Sequence, residues 1–201
     1  MASRHVHRSG SVRQLTRAPS PPDSSSLSRV TDAIDRLDDR LDEAWELLRG
    51  HPALDRLFYT ASEAADFSVL WHTLGVAQAI VNDDPRIAVA VSTALGLESA
   101  LINGPVKSLF KRSRPVQDTP RPHKLRQPKT SSFPSGHASA AMVAAAMLSR
   151  HGGGPLWYTL GAVVAASRVH VRIHHASDVA GGVVAGVALG AIARRIADSI
   201  G

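Results

Sequence analysis

Between Phe67 and Ala193 the chain carries five apolar stretches, and four of them contain no Asp, Glu, Lys or Arg. They are Phe67–Val81, Ile87–Ile102, Ala138–Leu148, Leu156–Ser167 and Val179–Ala193. Each reads as a helix, and each is shorter than the ~20 residues that cross a bilayer comfortably, although flanking residues can extend it. Gly, Ala and Ser recur in them, which lets helix backbones approach closely, as in membrane bundles. Two architectures fit this pattern: a membrane-embedded bundle and a soluble bundle with a tight core. The near-absence of charge favours the first. The expected fold is therefore all-α: a compact bundle of about five short apolar helices, embedded in the cell membrane with several passes. Glu98, the lone charge in the second stretch, is expected to face the bundle interior.

The N-terminal third has a different character. Residues 1–66 hold 9 Arg against 11 carboxylates, whereas residues 67–201 hold 14 basic residues against 6 acidic ones. The whole chain carries +6 with His neutral, a balance that points to anionic partners: nucleic acid, a membrane surface or a phosphorylated substrate. There is no Cys, which excludes a disulfide framework, a cysteine nucleophile and a thiolate metal site. Residues 1–28 read as a basic, then Pro/Ser-rich, disordered tail without the apolar run of a secretory signal. Residues 29–60 form an amphipathic helical segment and 61–201 the helical domain. Within the amphipathic segment, Ser28–Gly50 reads as a helix with Ile34, Leu37, Leu41, Trp45 and Leu48 at three-to-four spacing. Gly50 and Pro52 stop it. Such a helix packs on the domain or lies at a membrane interface. A second, shorter helix is expected over 53–66.

Three polar clusters sit at the ends of the apolar helices. The first, Lys107-Ser-Leu-Phe-Lys-Arg-Ser-Arg114-Pro115, places Lys107 and Arg114 about two turns apart on one face if it is helical. Both can then reach one phosphate; a solvated or lipid-facing basic helix end is the plainer alternative. The second, Ser132-Phe-Pro-Ser135-Gly136-His137, precedes an Ala-rich helix. Ser135 or Gly136 falls at the N-cap, where free N–H groups and the helix dipole suit an anion. The third, Ser167-Arg168-Val-His-Val-Arg-Ile-His174-His175-Ala-Ser-Asp178, puts His174 and Asp178 four apart, on one face if helical. A carboxylate on one imidazole nitrogen fixes the tautomer and leaves the other nitrogen as a nucleophile. A structural His–Asp pair and a metal site are the alternatives, and Arg168 and Arg172 disfavour the metal.

Taken in order, Lys-x6-Arg-Pro, Pro-Ser-Gly-His and Ser-Arg-x5-His-x3-Asp resemble the three motifs of the type-2 phosphatidic acid phosphatase family. These are the lipid phosphate phosphatases that share their site with vanadium haloperoxidases. The motifs run from Lys107 to Asp178, and the helical context extends the likeness over roughly residues 60–195. The resemblance implies a phosphoric monoester hydrolase acting on a lipid phosphate or pyrophosphate, with no metal and no cofactor. It implies Lys107, Arg114 and Arg168 as the phosphate cradle, and Ser135 and Gly136 as further donors to it. It implies His174 as the nucleophile that becomes phospho-histidine, Asp178 as its orienting partner and His137 as the acid on the leaving oxygen. The spacing from Arg168 selects His174 over the adjacent His175. Phosphoryl transfer needs these parts on physical grounds too: charge on the equatorial oxygens and an in-line nucleophile and acid.

If the second to fifth apolar helices alternate up and down, all three clusters meet at one end of the bundle, under a rim formed by Val116–Ser131. The partners implied are a phosphorylated lipid and the membrane, not nucleic acid. A vanadate-dependent haloperoxidase and a non-enzymatic basic membrane- or nucleic-acid-binding protein are the alternatives. The second of these leaves the His and Asp spacing unexplained. With five spans, the N-terminal segment and the site share one side. That side carries Gly104–Thr130, with 8 basic residues and one acid, so the positive-inside rule expects a cytoplasmic site.

Overall fold

The computed structural model describes residues 24–116, 122 and 125–200. The described residues form α1 (Ser24–Glu46), α2 (Pro52–Ala64), α3 (Val69–Val81), α4 (Arg86–Leu101), α5 (Gly136–Leu148), α6 (Gly154–His170) and α7 (Ala176–Ile200), with no strand among them. The five apolar stretches are α3 to α7. The tail expected over residues 1–28 lies outside the described residues as far as 23, and α1 already begins at Ser24.

Helix α5 is the axis of the bundle. Every residue from Ala138 to Leu148 is buried, and α5 packs chiefly on α7 and α6, then on α4. Its Ala-rich sequence gives it a thin profile, and α7 answers with Gly182, Gly186 and Gly190, one stripe at four-residue spacing. A Cβ at Gly182 would lie 2.4 Å from the Ser135 carbonyl oxygen, and one at Gly186 would lie 2.4 Å from that of Ser139. The α5–α7 contact is thus backbone against backbone, as small-residue stripes permit. It also fixes the height of Ser135, the N-cap of α5, against the first turns of α7. Ser135 N donates to the Asp178 carbonyl at 2.9 Å.

Among the described residues, two helical segments are long and apolar enough to cross a membrane: Arg86–Val106 and Ala176–Ile200. A third arises if the bent pair Pro52–Ala64 and Asp66–Val81, turned by 64°, counts as one span. The other apolar helices, α5 and α6, are shorter, and α5 is enclosed by its neighbours. Burial in protein and exposure to lipid select the same residue types, so an apolar pattern by itself does not separate the two. The outward faces of α4 and α7 are apolar, with Val89, Leu97, Val184 and Val187 exposed. Glu98 is buried in the bundle.

Helix α1 docks differently from the way its apolar stripe implies. The inward side of α1 and the turn after it is Asp38, Asp42, Trp45 and Arg49, while Ile34, Leu37 and Leu41 of the helix and Leu48 of the turn remain exposed. Trp45 Nε1 donates to His170 Nδ1 at 3.1 Å, and Arg49 donates to the carbonyls of Val169 (2.9 Å) and His170 (3.0 Å). The carboxylates turn inward because the loop ends they meet carry Arg112 and Arg172. The aliphatic stripe is left facing out, as on a helix that lies in a membrane interface.

Candidate active site

The three polar clusters converge at the end of the bundle where α5 and α7 begin and α6 ends. Two local geometries differ from the sequence expectation. Lys107 and Arg114 do not share a helix face. After α4 the chain passes through a π-helical turn, Ile102–Val106, which contains Pro105 and a non-helical Gly104. The helix ends near Ser108, and Arg114 lies in irregular backbone. Proline has no N–H to continue the ladder, and a wide turn of this kind re-aims the backbone that leaves it. Nor do His174 and Asp178 share a helix: His174 stands in the turn before α7, and Asp178 is in the first turn of α7. They face each other nonetheless, His174 Nδ1 lying 3.6 Å from Asp178 Oδ2, an ion-pair distance rather than a hydrogen bond.

Asp178, wholly buried, is held by other donors. Ser132 Oγ donates to Oδ2 in a short contact, His175 N donates to Oδ2 at 2.9 Å, and Arg112 Nη1 donates to Oδ1 at 2.8 Å. On the far side of the imidazole, Arg114 Nη1 stands 3.2 Å from His174 Nε2. Arg114 is itself fixed by main-chain oxygens: Nε to Pro128 (3.1 Å), Nη1 to Ile173 (2.9 Å), and Nη2 to Thr130 (3.2 Å) and Ser131 (3.3 Å). The rim expected over Val116–Ser131 includes residues 117–121, 123 and 124, which lie outside the described residues. Its described part supplies these carbonyls. Leu125 tethers it to Tyr59, Val171 and Ile173, and the Arg126 guanidinium sits 4.5 Å from the centre of the Phe67 ring.

Arg168, 2% exposed, donates from Nη1 to Ser62 Oγ, and its buried Nε has no partner. Lys107 is buried as well. Among the described residues no carboxylate forms an ion pair with Lys107, Arg114 or Arg168. Burial, and then the charge of Arg114, push the Lys107 ammonium down to about 8. Burial also pushes His174 down to about 3; Arg168 and Arg114 reinforce this, and Asp178 opposes it. Two buried cations, Lys107 and Arg168, and the half-buried Arg114, none of them in a direct ion pair with a carboxylate among the described residues, surround a neutral imidazole and make a site for an anion. Ser135 is the N-cap of α5, its Oγ accepting from Ala138 N at 3.5 Å, and Gly136 opens the helix. Free N–H groups thus lie at the same end. Beside Lys107 and Arg114 a cleft of about 700 Å³ is also lined by Lys111, Lys129 and Asn103. Among the described residues no three of His, Asp and Glu gather as metal ligands would.

His137, in the first turn of α5, donates from Nε2 to Asp66 Oδ1 at 2.8 Å. Asp66 was not legible as a site residue. It lies far from the motifs, and its placement depends on two successive left-handed residues, Phe67 (φ 52°) and Ser68 (φ 59°). Non-glycine residues in that region cost about 1–3 kcal/mol each and cluster at functional sites. Ser132 and Arg112 were visible inside the clusters, but neither carried a distinguishing signal. Arg172, with φ 51°, turns away from the site and pairs with Glu46 (2.7 Å) and Asp42 (3.4 Å) of α1.

Two relatives, each named decaprenylphosphoryl-5-phosphoribose phosphatase, come from Mycobacterium tuberculosis strains CDC 1551 and H37Rv. Each is 38% identical over 96 residues, which cover 48% of this chain and 51% of the relative. The match therefore spans about half the length of those curated relatives. The fold matches the crystal structure of a transmembrane PAP2-type phosphatidylglycerolphosphate phosphatase from Bacillus subtilis. That match has a TM-score of 0.65 and 23% identity, over 84% of this chain and 88% of the other. The PAP2 superfamily profile matches residues 87–200, which take in all three clusters and the four helices that bring them together, and the chain belongs to that superfamily.

Proposed function

We propose that this protein is a membrane-embedded phosphatase that hydrolyses a lipid-linked phosphate through a phospho-histidine on His174. The observation that carries this reading is the convergence of three cations, Lys107 and Arg168 buried and Arg114 half-buried, none in a direct ion pair among the described residues, around an imidazole backed by a carboxylate. Lys107, Arg114, Arg168 and the N-terminus of α5 hold the phosphate oxygens. His174 Nε2, on the side away from Asp178, attacks phosphorus in line. The N–P bond forms as the P–O bond to the lipid breaks, and His137, taking up a second proton on Nδ1 as the anionic substrate binds while Asp66 holds the one on Nε2, gives that Nδ1 proton to the leaving oxygen. Water, deprotonated by His137, then breaks the N–P bond and releases phosphate. Asp66 steadies His137 as Asp178 steadies His174.

The basic cleft beside the cradle supports a substrate with a second anionic group close to the terminal phosphate. The mycobacterial relatives are named for such a compound, and we assign this chain the same class, a prenyl-phosphosugar phosphate. The test is a panel of phosphatidic acid, phosphatidylglycerol phosphate, a prenyl pyrophosphate and a prenyl-phosphosugar phosphate, with purified protein. The last should show the highest kcat/KM; release of phosphate from none of them rejects the reading.

The basic segment Gly104–Thr130 leads into the site end, which supports a site facing the cytoplasm, where a substrate made on the inner leaflet would meet it. Labelling of Gln127→Cys in this cysteine-free chain by an impermeant reagent in intact cells would contradict that side.

The cradle has a predictable alkaline limit. A lysine held at about 8 is cationic below that pH and neutral above it, so phosphate affinity is lost as pH rises through 8. The profile of kcat/KM, which reports the free enzyme, should fall there. Lys107→Arg keeps the charge at higher pH, so its alkaline limb should move upward whatever its absolute rate. Coincident limbs in the two proteins would show that another group sets the limit.

A further inference from the structure

Behind Asp178 lies a polar cluster that the chemistry above does not use. Arg112 Nη1 donates to Asp178 Oδ1 (2.8 Å) and Ser177 Oγ (2.5 Å), while Nη2 donates to Asp38 Oδ2 (2.6 Å) and Asp35 Oδ1 (3.0 Å). Asp38, 3% exposed on α1, also accepts from Ser177 N (2.8 Å) and Ser177 Oγ (2.6 Å). The two oxygens of Asp178 are therefore divided: Oδ2 faces the imidazole and Oδ1 belongs to Arg112. Ser132 and His175 N hold Oδ2; without Arg112 the Oδ1 side of the carboxylate would swing about that hold, and its face towards His174 would no longer be fixed.

The charges are divided in the same way. Arg112 alone would neutralise Asp178 and leave nothing to stabilise an imidazolium. With Asp38 added, and Asp35 at the exposed edge, the group of Asp178, the half-buried Arg112 and its carboxylates carries a net negative charge behind His174. We propose that Arg112 and Asp38 are positioning residues of the phosphotransfer site: Arg112 holds the Asp178 carboxylate against His174, and Asp38 keeps Arg112 from cancelling it. Helix α1, which lies outside the superfamily match, thereby completes the site. The proposal rests on His174 being the nucleophile.

The two residues have opposite electrostatic effects, and that makes the proposal testable. Besides Asp178, His174 faces Ser132, Arg114 from the segment after α4 and Arg168 from α6, and Lys107 acts on Arg114, Arg168 and Asp178 in turn. Against that fixed background, Arg112→Ala removes a cation and should move the acid limb of kcat/KM to higher pH. Asp38→Asn removes an anion and should move it to lower pH. Both should lower kcat by about 10- to 100-fold, as the loss of groups that orient a functional histidine does, with KM changed little. Arg112→Lys should recover part of the loss. Arg172→Ala, which weakens the hold on α1 without touching Asp178, should stay within about threefold.

The experiment uses the full chain in bilayer discs, with thermal stability measured beside turnover. ¹⁵N-histidine spectra, with His174 assigned by its absence in His174→Ala, read the imidazole without any substrate. Wild type should hold its proton on Nδ1, towards Asp178, since Arg114 donates to Nε2, and Arg112→Ala should shift and broaden the Nδ1 signal as the carboxylate turns. Acid limbs that do not move apart, or an Arg112→Ala Nδ1 signal like that of wild type, overturn the proposal. If wild type releases no phosphate from any lipid, the functional reading fails, and the spectra still decide the role of Arg112.

Discussion

His174→Ala is expected to lower kcat by at least about four orders of magnitude, because in the proposed mechanism it removes the phosphoryl acceptor itself. The fold should survive. His174 lies in the turn before α7, and its ring nitrogens make long contacts: 3.2 Å to Arg114, 3.5 Å to Ser132 and 3.6 Å to Asp178. The side chain is buried, so its removal leaves a small cavity at the site. The cradle cations remain, and binding of vanadate, an analogue of the transferring phosphoryl group, should weaken far less than turnover. Loss of turnover together with loss of the thermal transition would mean that His174 is structural. Retained turnover would remove it from the mechanism.

Arg168→Ala should be the most damaging change in the cradle, at about 100- to 1,000-fold in kcat/KM, the size seen when a preorganised donor to a developing anion is lost. The guanidinium is buried, and its Nε has no protein partner. A buried donor without a partner is costly unless a ligand takes it. The comparison is Arg172→Ala, four residues on and equally basic. Arg172 pairs with carboxylates of α1 that are themselves partly exposed, so about 1 kcal/mol of stability and a few-fold in rate is the expected limit. Equal losses in the two variants would show that Arg168 does not contact the substrate.

How far these residues were legible depends on the kind of information each needed. The apolar runs predict the helices α3 to α7, because burial leaves a direct imprint on composition. The N-cap at Ser135 is implied by Pro-Ser-Gly before an Ala-rich run. Helix-face arithmetic failed twice, at Lys107–Arg114 and at His174–Asp178, because it assumes an unbroken helix through each pair. The helix stops at Ser108, leaving Arg114 in irregular backbone, and the turn after His170 holds His174 ahead of α7. Pro105 is visible in the sequence, but how the chain leaves the π-helical turn that contains it depends on what it then packs against. Asp66 and Asp38 were hidden for another reason. Each is an ordinary acid on an amphipathic or loop segment, made special by a partner 71 or 74 residues away. The number of membrane spans was blurred because α5, enclosed by protein, has the composition of a helix facing lipid.

The central claim, transfer of phosphate to His174, is tested most directly by trapping the intermediate. Protein quenched in alkali during turnover of a ³²P-labelled lipid phosphate should carry label that is stable to base and released by acid, as a phosphoramidate is. Peptide mapping should place it on His174. Brisk phosphate release with no label at any quench time, or label on His175 or His137 instead, would contradict the mechanism.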